Sequence, residues 1–306
     1  MNTKNITSVI DLSNSDISEI FSVTHQLKIT DLSNNINSLT GKILGMIFEK
    51  SSMRTRVSFE VAMTQLGGHA IYLTKQDIDL GKRESIKDGA NVLSRYVDCI
   101  TIRTYAHKTV LELAKEATVP VINALSDYSH PCQALADLFT IKEKFGTLDN
   151  ITVSFIGDGN NVARSLAFLC SKLGVSFKIA FPEKYELDKE TISIVNDIAE
   201  NGAKFTICKS PEDAVKGTNV IYTDTWTSMG QESEAEVRRA DFKDYQVNRE
   251  LTSFADKDVI IMHCLPAHRG EEITDEIIDG PNSAVYDQAE NRMHIEKALL
   301  KLLLTQ

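Results

Sequence analysis

The chain has 306 residues, 42% of them apolar and 25% charged, with a formal net charge of −10 at neutral pH. That length exceeds the usual single domain and predicts two domains of about 150 residues, each able to bury its own core. The composition excludes a disordered chain, and the acidic balance excludes nucleic acid or an anionic membrane as the main partner, since both demand a basic surface. Cys99, Cys132, Cys170, Cys208 and Cys264 are scattered without a CxxC pair, mostly inside apolar stretches, which fits free thiols in a reducing cytoplasm. The opening residues, Met1 to Ile6, are polar and lack an apolar signal core. No run approaches the ~18 apolar residues of a membrane span, so a cytoplasmic protein is expected.

The apolar run at residues 43–48 predicts a buried strand, and Phe59, Ala62, Met63 and Leu66 at helical spacing predict a helix after it. Between them lies Ser52-Met53-Arg54-Thr55-Arg56. A helix start offers backbone N–H groups without intrahelical partners and the positive end of the helix dipole, so hydroxyls and guanidinium groups there make an oxyanion trap. Arginine adds a planar fork that matches phosphate. A capped helix with surface arginines fits the same pentapeptide, and only the rest of the chain separates the two readings.

Gly67-Gly68 stops that helix, and residues 70–73 supply the next strand, which completes a βαβ unit. Residues 99–102 and 119–124 predict two further buried strands, and residues 131–145 a helix. Turn character at 146–150 marks a domain junction, so the first domain is placed at 1–146 and the second at 147–290. Strands in the second are expected at 151–156, 176–180, 204–208, 220–222, 259–262 and 284–286. Ile295, Ala298, Leu299, Leu302 and Leu303 predict a last helix over 291–303, with residues 291–306 packing back on the first domain. The fold class is therefore α/β: two doubly wound domains with parallel central sheets, joined by interdomain helices.

In open parallel sheets ligands bind outside the carboxyl ends of the strands. There the first series carries Ser52 to Arg56, Arg103 and His130, which suggests one anion pocket lined by Arg54 and Arg103. The second carries Asn160-Asn161, Asp224 and His263-Cys264-Leu265-Pro266. Two facing sheets would bring these sets together across a cleft.

Five segments occur in a specific order: residues 48–60 (FEKSSMRTRVSFE), His130-Pro131-Cys132-Gln133, Gly157-Asp158-Gly159-Asn160-Asn161, residues 224–230 (DTWTSMG) and His263-Cys264-Leu265-Pro266. Each alone is weak, but in this order the chain resembles the aspartate/ornithine transcarbamylase family nearly end to end. The resemblance implies transfer of the carbamoyl group of carbamoyl phosphate to the δ-amine of L-ornithine, giving citrulline and phosphate without metal or cofactor. It implies that Ser52, Met53, Arg54 and Thr55, with Arg103, hold the phosphate, and that His130, Gln133 and Arg292 face the carbamoyl end. Pro131, Cys132, Cys264 and Leu265 belong to the same contact set. Asn161, Asp224, Ser228 and Met229 are implied to hold the α-amino and α-carboxylate groups of ornithine, and Cys264 with Leu265 its reacting amine. Arg54, Arg103, His130, Asp224 and Cys264 form the implied catalytic set, with Cys264, polarised by Asp224, accepting a proton. A homotrimer or a multiple of trimers, with sites at subunit contacts, follows from the same resemblance; separately, domain closure around the second substrate is expected to assemble the site.

Other readings remain open at this stage. Cys264 also fits a small apolar residue at a strand end, and His130 a capping histidine before proline. His263, Cys264 and His268 could hint at a metal, but no carboxylate is expected at ligand spacing, so no metal site is assigned. Gly157-Asp158-Gly159 lacks the third glycine of a dinucleotide turn. Two residues depart from the family pattern. Met53 stands where a threonine is common, which removes a hydroxyl donor. Asp79 stands about where a glutamine is common, so either the loop register differs or Lys82 and Arg83 compensate its charge. Putrescine carbamoyltransferases share the first-domain motifs, but Asp224 and Ser228-Met229-Gly230 favour an amino acid, and the chain runs only to Gln306 after Arg292. Aspartate carbamoyltransferases lack the last two segments. A catalytically idle anion-binding relative is the alternative of a different class.

Overall fold

The computed structural model describes residues 1–30, 36–228 and 230–305. The chain divides into two compact units: Met1–Leu135 together with Glu290–Gln306, and Ala136–Ala289. The unit boundaries fall inside two helices rather than in loops.

The first unit begins with helix α1 (Asn14–Ile29), and its strands are β1 (Ile43–Phe48), β2 (His69–Thr74), β3 (Cys99–Arg103) and β4 (Val121–Leu125). Helices α2 (Met53–Gln65), α3 (Ile86–Leu93) and α4 (His107–Glu116) connect them, and α5 (Pro131–Phe145) follows. Among the described residues the strands form one parallel sheet in the order β2-β1-β3-β4. The runs at β1, β3 and β4 are buried almost throughout, as expected for strands covered by helices on both faces. Ile47, Ile100, Ile102, Val110, Leu113 and Val121 build the core between the sheet and its helices.

The second unit repeats the arrangement with β5 (Thr152–Ile156), β6 (Ser176–Ala180), β7 (Phe205–Ile207), β8 (Val220–Thr223) and β9 (Ile260–His263), in the order β7-β6-β5-β8-β9, all parallel. Its helices are α6 (Asn161–Lys172), α7 (Lys189–Asp197), α8 (Pro211–Val215), α9 (Ala235–Phe242), α10 (Arg249–Thr252) and α11 (Asp275–Ile278), before α12 (Val285–Leu304). Each sheet reverses direction once, between β1 and β3 and between β5 and β8. At such a switch point adjacent loops leave in opposite directions and open a crevice at the carboxyl ends.

The strand expected at 284–286 is not formed: Val285 starts α12. Only an isolated bridge between Ser283 and Ile261 precedes it, closed by hydrogen bonds from Ile261 N–H to Asn282 O and from Ala284 N–H to Ile261 O. Ala284 and Val285 are buried, which made the segment look like a strand. The inner face of α12 continues with Gln288, Asn291, Arg292 and Glu296, also buried. Polar residues on a buried face erased the helical periodicity of the first two turns. No helix of the described residues is long and apolar enough to cross a membrane, and all five cysteines are free thiols.

Two glycines are demanded by geometry. Gly67 ends α2 at φ +82°, where a Cβ would lie 1.8 Å from the carbonyl oxygen of Ile36. A Cβ on Gly159 would lie 2.5 Å from the backbone nitrogen of Leu187. Gly67→Ala combines a left-handed backbone with a backbone collision, so it should cost roughly 2 kcal/mol or more, measured as a lower denaturant midpoint with unchanged slope.

Candidate active site

At the end of β1 the chain turns through Ser52, whose extended backbone (φ −163°, ψ 118°) and hydroxyl cap α2 by accepting from Thr55 N–H at 3.3 Å. The cap points the first turn of α2 towards the carboxyl ends of β1 and β3, where Phe48 pairs with Arg103. Thr55 is fully buried, and three donors converge on its Oγ1: Ser52 Oγ at 3.1 Å, Arg103 at 3.5 Å and Arg292 at 2.9 Å. A second terminal nitrogen of Arg292 donates to Gln133 Oε1 at 3.1 Å. Arg292 lies on the part of α12 that belongs to this unit, so the long sequence separation is closed by one helix.

His130 precedes α5 and is buried. Burial, and then the positive charges of Arg292, Arg103, Lys50 and Arg54, hold it well below the usual imidazole range. It is therefore neutral at neutral pH and can donate one N–H without carrying charge. Cys132 is buried with its thiol pushed up by burial, and its Sγ contacts Asn123 O. Cys132 is thus a packing residue with no thiolate character. Met53 is 71% exposed at the first position of α2, so its backbone N–H and not its side chain is what the helix start offers. Thr104 donates a short hydrogen bond to Glu49, and Glu49 N–H donates to Arg103 O, which ties the loop after β1 to the end of β3. The Asp79 turn brings Lys82 and Arg83 N–H onto the Asp79 carbonyl, with Leu80 bridging Glu84.

In the second unit Asn160 caps α6, accepting from Val162 and Ala163 N–H, and donates through Nδ2 to Asp224 Oδ2 at 2.8 Å. Asp224 follows β8, and its other oxygen accepts from Cys264 Sγ at 3.0 Å and from Thr225 N–H at 2.8 Å. Thus Cys264, after β9, does meet Asp224. Leu265 takes φ +58° and donates its N–H to His263 Nδ1 at 2.8 Å. His263 Nε2 must then carry the proton and donate to Glu272 Oε1 at 3.0 Å, which fixes a neutral tautomer under the Cys264 loop. Asn161 opens α6 half-buried, and Ser228 N–H donates to Gln231 Oε1. Met229 lies outside the described residues.

The expectation that no carboxylate reaches ligand spacing near these histidines does not hold. Asp224 with His263 and Cys264, and Glu271 and Glu272 with His268, each bring three ligand atoms within 4.8 Å of one another. Strand pairing β8 to β9 supplies the first set across 40 residues, and a turn folds Glu272 back onto His268 N–H in the second.

Sequence reasoning missed Arg238 and Glu296. Arg238 is buried and donates to Asp158 at 2.7 Å and to Trp226 O at 2.8 Å, pinning the loops after β5 and β8 together. Burial raises the Asp158 carboxyl and Arg238 partly offsets this. The Glu234 to Arg238 and Arg292 to Glu296 spacings are legible as i,i+4 pairs, yet such pairs usually lie on solvated faces.

The unfolded His130 protonates near pH 6.5 while the folded one stays neutral, so stability must fall as pH drops through that window. His130→Asn should lose less stability than the unaltered protein between about pH 7.5 and about pH 5.5 in denaturant titrations, and equal losses would contradict the buried neutral imidazole.

Comparison with known proteins agrees with this layout. Residues 4–143 match the family model described as aspartate/ornithine carbamoyltransferase, carbamoyl-P binding domain, and residues 149–303 its Asp/Orn binding domain. A relative named ornithine carbamoyltransferase from Pyrococcus horikoshii is 58% identical over 267 residues, 87% of this chain and 84% of its own. Another of that name from Bacillus subtilis is 53% identical over 303 residues, 98% of this chain and 94% of its own. The solved structure of ornithine carbamoyltransferase from Pyrococcus furiosus is 53% identical and aligns with a TM-score of 0.95 over 99% of this chain and 97% of that one. The chain belongs to the aspartate/ornithine carbamoyltransferase family.

Proposed function

We propose that this protein transfers the carbamoyl group of carbamoyl phosphate to the δ-amine of L-ornithine, releasing L-citrulline and phosphate. The observation that carries the reading is the convergence of Arg103 and Arg292 on the Thr55 hydroxyl at the capped start of α2, beside a neutral His130. Arg54, Arg103, Ser52, Thr55 and the helix N–H groups, that of Met53 included, receive the phosphate and offset its charge as it leaves. His130, Gln133 and Arg292 donate to the carbamoyl oxygen as it gains charge at the tetrahedral stage, where each well-placed donor is worth about 3 kcal/mol. Pro131 sets the direction of α5, and Cys132 packs beneath the site.

In the second unit Asn161, Asp224, Ser228 and Met229 take the α-amino and α-carboxylate groups, with Leu265 beside the reacting amine. An ordinary amine near pKa ~10.4 is protonated at pH 7, and neutralising it costs about 5 kcal/mol. The Cys264 thiol already donates to Asp224, so the ammonium can pass its proton to sulfur as the thiol proton moves to the carboxylate. The freed amine then attacks the carbonyl carbon, the carbon–oxygen bond to phosphate breaks, and the amine's second proton leaves on the phosphate oxygen.

A homotrimer is supported by the family resemblance and by apolar Met53, Val57 and Ile71, exposed on α2 and the edge strand β2. Free thiols support a reducing cytoplasm.

Ureido-product formation from carbamoyl phosphate, with ornithine, putrescine and aspartate offered in parallel, tests the reading. Turnover is expected with ornithine, and a preference for another amine or no product with any would overturn it. Cys264→Ala should lower turnover by roughly 100-fold while leaving carbamoyl phosphate binding intact, whereas full activity would remove Cys264 from the proton path.

A further inference from the structure

A carboxylate buried beside a pocket for a phosphate anion is electrostatically unfavourable, because it repels the ligand and is itself stripped of water. Glu296 occupies that position with no exposure at all. It lies one helical turn after Arg292 on α12, and Arg292 Nε donates to its Oε1 at 3.2 Å. The same guanidinium gives one terminal nitrogen to Gln133 Oε1 and the other to Thr55 Oγ1. Each of its three nitrogens thus has a fixed partner, and the plane of the fork is set by three points.

We propose that Glu296 is the positioning residue for Arg292: it grips the Nε edge of the guanidinium and thereby holds the two terminal nitrogens towards the carbamoyl end of the donor. The inference rests on the carbamoyl transfer reading. Without Glu296, Nε would be a buried donor lacking its partner, and the fork could rotate about its last torsions until that donor found another. Small errors in the direction of a charge-stabilising donor are expensive in rate, because the stabilisation depends on geometry fixed before the reaction.

The surroundings show how the repulsion is contained. The Glu296 carboxylate lies against the positive charge of Arg292, whose Nε it accepts from. Burial raises its carboxyl to about 7, and Arg292 and the neighbouring Ser58 hydroxyl oppose that rise only in part. Near neutral pH the group is therefore partly protonated, which lowers the repulsion while leaving an acceptor oxygen for Nε. The Cys132 thiol beside it is held protonated by burial and by this same carboxylate, so no second negative charge accumulates there.

Turnover of ornithine by the unaltered protein tests the reaction; the variants test the role of Glu296. Glu296→Ala should lower kcat about tenfold and leave the KM for ornithine within about twofold, and Glu296→Gln, which keeps an acceptor at the same place, should recover to within about threefold of the unaltered enzyme. In an Arg292→Ala background neither substitution should lower kcat further, since the partner they act through is gone. Unchanged kcat in Glu296→Ala, or losses of equal size with and without Arg292, would overturn the proposal. If Glu296→Ala does not fold, Glu296→Leu, which keeps the volume and removes the acceptor, takes its place: a loss of kcat that vanishes in the Arg292→Ala background supports the proposal, and a loss that persists there, or no loss at all, overturns it.

Discussion

An acidic protein that gathers several cations at one buried point must hold them there against their mutual repulsion. Arg103 and Arg292 are almost fully buried and meet at one threonine hydroxyl, with Arg54 and Lys50 close enough to act on His130. Such a cluster repels itself and forfeits hydration, so it persists only where the scaffold enforces it and acceptors surround it. The enforcement comes from parallel β-structure. Every strand of the sheet ends at the same edge, and each is followed by a helix start or a loop that can be capped there. Ser52, Arg103 and His130 come from three strand ends, and a single helix from the end of the chain adds Arg292.

The same edge is used differently in the second unit. There the strand ends carry Asp224 and Cys264, whose contact is built by Asn160 from one side and by the His263 to Glu272 pair from below. The two sites divide the chemistry by charge. In the proposed reaction the first stabilises negative charge on a leaving phosphate and a forming oxyanion, and the second provides an acceptor for a proton that an amine must lose. His130, kept neutral by burial and the surrounding cations, adds no net charge to the first site, and His263 links Leu265 N–H to Glu272 in the second.

Residues without chemistry of their own maintain these arrangements. Arg238 joins the loops after β5 and β8 through Asp158 and Trp226, so the strand carrying Asn160 and the strand carrying Asp224 cannot drift apart at their tips. Glu49 does the same for the ends of β1 and β3. Glu296, at the back of Arg292, belongs to this class of support: its contact is to a functional side chain, and its own burial is unfavourable unless that contact is made.

Periodicity, turn residues and short motifs were enough to read most of the architecture, because a buried parallel strand needs an unbroken apolar run and a capped helix needs a polar residue at its start. β1 and α2 are bounded by such signals, and Ser52, Arg103, His130, Asp224 and Cys264 could be placed at strand ends from their position alone. The sequence failed at residues 284–286, where a helix buries Gln288, Asn291, Arg292 and Glu296 and so hides its own period. It also failed at Glu271 and Glu272, whose nearness to His268 depends on how a turn folds. Local sterics and apolar pattern suffice for the set of chemical groups and for the strand or helix that carries each. Which distant groups touch, Arg292 on Thr55 and Cys264 on Asp224, is a matter of tertiary structure alone. Those contacts arise from the pairing of strands and the docking of a distant helix, which no local spacing encodes.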